Sequence, residues 1–205
     1  MNKALSGKNI VLVGSFNTLQ FDKFFFIKNG IVREEDILPN SLFSPNGIQI
    51  LTPEFNIIVV PNQIVFTQIN LLSDSIKELS LLFIKATNIS ATAIGINFTW
   101  SIYAKNSLEE ESKAYFMNDK NPMFSANFGV ADALFGAYIS KNIGNGRLKL
   151  DIKPNMIVNP SISTPIKVLN FMFNYHFENR ADIFVEINNY TSLKLDSQNI
   201  MSTYE

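Results

Sequence analysis

The chain has 205 residues, a formal net charge of -1 and 46% hydrophobic residues, with 18 phenylalanines, one histidine and no cysteine. That length predicts one domain with ample core. The charge balance argues against broad attraction to nucleic acid or an anionic membrane, and the missing cysteines exclude disulfides, thiolate chemistry and cysteine-ligated zinc.

The apolar run at 10–13 is too short for a signal-peptide core. No segment reaches the length of a membrane helix, so the expected location is cytoplasmic. Residues 10–16 read as a strand and residues 21–27 (FDKFFFI) as a second, the two forming a hairpin. Asn29-Gly30 is a turn signal. Residues 32–38 are short and charged, a helical turn or a solvated loop, and 39–47 form a loop. Residues 48–52, 55–60 and 63–69 predict a three-stranded meander, broken at Pro53 and at Pro61-Asn62.

Residues 73–89 are the strongest helical stretch. Ser73 or Asp74 can cap it, and Ile76, Leu79, Phe83 and Ala86 make one stripe. Leu81, Leu82 and Ile84 widen that stripe past what one sheet face needs. The helix therefore lies in a groove between sheet and loop, or it also meets a partner. Residues 91–104 then alternate, with Ile94, Ile96, Phe98, Trp100 and Ile102 on a dry face. The small residues opposite, around Gly95, predict a bulge or a close approach, with a second layer of structure packed there.

Residues 106–117 predict a short helix capped by Ser107. Glu109, Glu110 and Glu111 suit its positive end, and Glu109 and Lys113 are spaced for a surface pair. Residues 118–127 read as irregular and as the most mobile stretch, carrying Met123 and Phe124 either tucked beneath the loop or exposed as a contact. Residues 131–141 and 147–154 alternate about Gly144-Asn145-Gly146, the clearest hairpin of the chain. The row Arg147, Lys149, Lys153 is a weak basic surface interrupted by Asp151, read as a solvated strand face. Residues 166–178 (IKVLNFMFNYHFE) form the longest alternating strand, predicted to sit mid-sheet beside 91–104. Asp182 can cap a final helix through Ile183, Ile187 and Tyr190.

The expected fold class is α+β: a mostly antiparallel sheet of long alternating strands packed against two or three helices, in a single domain over 1–205. Phosphate-loop, dinucleotide and nucleophile-elbow signatures are missing, so no cofactor and no metal site is expected. Two functions from different classes remain. One is a non-enzymatic binding or assembly protein, a homo-oligomer or the partner of another protein, contacting through Ile76, Leu81, Ile84, Met123 and Phe124. The other is a small metal-dependent or acid–base hydrolase using His176, Glu178 and Asp182. On an ideal strand His176 and Glu178 share a face without being aimed at each other.

Overall fold

A computed structural model of the chain describes residues 2–87, 89–104, 107–118, 120–157, 165–178 and 182–204. The strands are β1 (Lys3–Gly14), β2 (Leu42–Ser44), β3 (Gly47–Leu51), β4 (Phe55–Val60), β5 (Gln63–Gln68), β6 (Ala91–Tyr103), β7 (Ala137–Ile143), β8 (Gly146–Ile157) and β9 (Ile166–Glu178). Among the described residues they make one nine-stranded sheet, in the order β2-β3-β4-β5-β1-β6-β9-β8-β7. Every pairing is antiparallel. The helices are α1 (Lys23–Lys28), α2 (Ser75–Thr87), α3 (Leu108–Phe116), α4 (Pro122–Phe128), α5 (Ile183–Asn188) and α6 (Tyr190–Ser202). The α+β class with a large antiparallel sheet is as the alternation predicts, and the helices outnumber the two or three expected.

β6 and β9 lie side by side in the middle, in continuous register from Ala93↔Glu178 to Tyr103↔Val168. The meander β3-β4-β5 and the hairpin β7-β8 form as the turn residues dictate. Gly144 has φ +50, a conformation open to glycine at little steric cost.

Two expectations are overturned. Residues 23–28 are helix, not the second strand of a hairpin, and β1 pairs with β5 and β6 instead. The Asp22 carboxylate accepts the Phe25 N–H at 2.6 Å and caps that helix. FFFI is a continuous apolar run without alternation. Coiling it brings Phe21, Phe25 and Phe26 around Phe83, whose ring also meets Phe66 at 5.5 Å. The second correction concerns residues 118–127, where Asn121 caps α4 through the Met123 N–H and Pro122 takes the first turn, in which a missing N–H costs nothing. The following strand starts at Ala137, later than the alternation from 131 suggests.

The core lies between one sheet face and the helices. Ile10, Leu12, Phe66, Ile96, Phe98, Phe173 and Tyr175 from that face are buried against Phe83, Ile187, Tyr190 and Met201. Buried polar tips find partners: Trp100 Nε1 donates to Ser197 Oγ at 3.1 Å, and the Tyr175 hydroxyl to Asp196 at 2.8 Å. The final helix breaks at Asn188-Asn189 into α5 and α6, where asparagine competes with the helical backbone. The Lys3 ammonium donates to the carbonyls of Met201 and Tyr204, tying β1 to the end of α6. Among the described residues no helix is long and apolar enough to cross a membrane.

Candidate functional site

β9 places His176 and Glu178 on the sheet face opposite the helices. Their side chains do meet, with His176 Nε2 2.5 Å from Glu178 Oε1, because rotamers converge where the ideal strand vectors do not. Arg147 of β8 stands beside His176 in register, its guanidinium donating to Asn142 at 2.9 Å and Ser140 at 2.5 Å. Asp182 does not join this pair. Its carboxylate accepts the N–H groups of Phe184 and Val185 and caps α5. Glu186, a conceivable further ligand, is buried, and burial pushes its carboxyl above the ordinary value. Among the described residues no group of three or more His, Asp or Glu is placed to hold a metal ion.

The same open face carries a polar ladder. Asn97 Nδ2 donates to Asn9 Oδ1 at 2.6 Å, and Asn174 Nδ2 donates to Asn97 Oδ1. The row runs on to Thr67 and Asn56 on one side and to Lys149 and Ser140 on the other. Gly95 is in unbroken register with Val11 and His176, so it marks a close approach and not a bulge. A Cβ there would sit 3.1 Å from the Asn174 amide nitrogen. Among the described residues, the second layer expected over this face is not found over the central strands. The helices that meet the sheet rest on the other side, α2 on β1 and β5, α5 and α6 on β6, and α3 on β9. Sequence pattern placed Asn97 and Asn174 on this face, but only strand register reveals that they bond to each other and to Asn9.

Beneath the core, Lys8 is fully buried. Its ammonium donates to Leu71 O at 2.9 Å, to Ser73 O and to Asp74 Oδ1 at 2.8 Å, and Lys194 donates to Asp74 Oδ2 at 2.6 Å. Burial alone would raise the Asp74 carboxyl, but hydrogen bonds from Lys194 and Lys8 outweigh it and hold it below the ordinary value. Asp74 thus joins strand, helix start and C-terminal helix, while Ser73 Oγ accepts the Ser75 N–H. The cluster saturates its own donors and acceptors, which suits it to structure.

Of the five expected contact residues, Ile76 and Ile84 are buried in the chain's own core and offer no surface. Leu81 is half-buried against that core. The width of the α2 stripe is explained by α5 and by Phe25 and Phe26 of α1, which pack on it in addition to the sheet. Met123 is exposed, and Phe124 turns its ring to Phe135 at 6.3 Å. Glu109 pairs with Lys167 at 2.6 Å and not with Lys113.

Met123 is followed in the sequence by further exposed apolar residues that the expected contact set missed. Met123, Phe128, Val130 and Leu134 are 44–56% exposed, and Tyr138 and Ile139 at the start of β7 are 65% and 55% exposed. Between Lys120 and Lys141 the sequence holds one charge, Asp132. That absence of charge was the available signal. A shallow cavity of about 340 Å³ opens here, lined by residues 134–138 and 151–154. No family model matches the chain, and no curated protein matches it.

Proposed function

We propose that the protein is a non-enzymatic binding and assembly module that works through protein–protein contacts, with a second copy of itself as its first partner. The observation that carries this reading is the run of exposed apolar side chains at 123, 128, 130, 134, 138 and 139, the last two on opposite faces of β7, in a stretch with one charge. Exposed apolar side chains cost free energy in water, and where they gather they mark contact sites on proteins. Nucleic acid has no place in the reading, since Asp151 neutralises Lys153 at 2.5 Å within the basic row. The test is light scattering across a concentration series. Mass rising from 23.1 kDa toward twice that value supports the reading, and a constant 23.1 kDa contradicts it.

The hydrolase alternative keeps one supporting observation, the 2.5 Å contact of His176 with Glu178, which is the geometry of a base oriented by a carboxylate. It lacks its third member, because Asp182 is spent on the α5 cap. Ester or phosphoester turnover abolished by His176→Ala would restore it.

A further inference from the structure

We propose that two copies of the chain join edge to edge through β7, antiparallel, about a two-fold axis at Ser140. The inference rests on the self-association reading and supplies its geometry.

The two edges of the sheet differ in kind. β2 is three residues long, a length that blunts an edge. β7 is seven residues long, has no proline, and keeps unbroken register with β8 from Ala137↔Ile152 to Ile143↔Gly146. Among the described residues no strand lies on its outer side. In an antiparallel ladder alternate residues aim both N–H and C=O outward, so this edge offers a regular row of donors and acceptors. A strand matches such a row better than any other ligand.

Side chains point to the same occupant. Ile139 forms the wall of a groove of about 250 Å³ with Leu148, Leu150 and Ile200, running beside the edge and lined almost wholly by carbon. Lys141 is the one charged residue in β7. Pairing about Ser140 uses all seven residues and sets Ala137 against Ile143, Tyr138 against Asn142, and Ile139 against Lys141. The lysine stem then covers the isoleucine, and no like charges within β7 stand directly opposite each other. Moving the axis one residue on would set Lys141 against Lys141. The strand is therefore complementary to itself, as a symmetric dimer interface must be. Arg147 stands one strand behind the axis and bonds Ser140, so the pairing brings two guanidiniums toward each other. Their repulsion is screened by salt, and association tightens with ionic strength.

A chain without cysteine allows a clean test. Ser140→Cys is oxidised, or treated with a short bis-maleimide, beside Ser44→Cys on the opposite edge, with light scattering run on both. The account expects a covalent dimer at 140 and none at 44. Ile139→Lys, which sets a charge opposite the other copy's Lys141, should weaken association at least tenfold. Dimers by light scattering without a link at 140 would overturn the edge pairing and leave self-association standing. Equal linking at 140 and 44 indicates random collision and overturns it too. A monomer at every concentration, unlinked at either site, overturns both readings.

Discussion

At the centre of the sheet, even a lysine side chain finds every bond it needs inside the chain. At the β7 end, an isoleucine and a tyrosine stand mostly in solvent. Lys8 is buried with three oxygen acceptors, and the strand that carries it has neighbours on both sides. Among the described residues, Ile139 lies on a strand with a neighbour on one side, next to a groove that Ile200 of α6 helps to line. Strand patterning is similar in both regions. The difference is whether another element covers the apolar positions, which local sequence does not decide.

The comparison can be broken at the centre first. Phe83→Ala removes the ring on which Phe21, Phe25, Phe26 and Phe66 converge. A loss of about 3–5 kcal/mol is expected in urea unfolding, typical of a buried phenylalanine. Lys8→Met keeps the apolar stem but strands two carbonyls and part of the Asp74 carboxylate. Breaking a buried pair costs about 3–5 kcal/mol, and the half-exposed Asp74 places this variant near 3.

Two carboxylates give opposite, smaller pH effects. The folded pKa of Asp74 lies below its ordinary 3.8, so its contribution is present above that value and is lost as pH falls through the lower, folded one. Burial raises Glu186 above its ordinary 4.5, so its contribution is present below that value and is lost as pH rises through the higher, folded one. Asp74→Asn should therefore flatten the acid limb of a stability–pH curve, and Glu186→Gln should raise the melting temperature at neutral pH. A curve unchanged by either variant would contradict these assignments. The smallest stability effect belongs to the β7 end. Ile139→Lys should change unfolding free energy by within about 0.5 kcal/mol, as for a surface site, while it weakens association at least tenfold. A large stability loss would show that Ile139 is core in the single chain.

The long strands were legible because alternation is a local signal that survives into the fold. Residues 94–102 and 171–177 bury the side chains their period assigns to the dry face, Trp100 only in part. The helix at 75–87 was legible from its stripe, but Ile84 is buried in the chain's own core, and the elements that widen the packing on this helix, α5 and the α1 rings on Phe83, come from distant parts of the sequence. Residues 23–28 were misread because a run of four apolar residues carries no period, and the Asp22 cap decides its form. Of the candidate sites, sequence pattern found His176 and Glu178 on one face but not their contact. It also found Met123 without the exposed apolar residues that follow it as far as Ile139. Both depend on what covers a side chain, which is a tertiary property.

The most direct measurement is amide hydrogen exchange at low and high protein concentration. The outward amides of β7 are expected to gain protection as concentration rises, while β1, β6 and β9 stay equally protected throughout. Fast exchange in β7 that does not change with concentration would contradict the edge pairing.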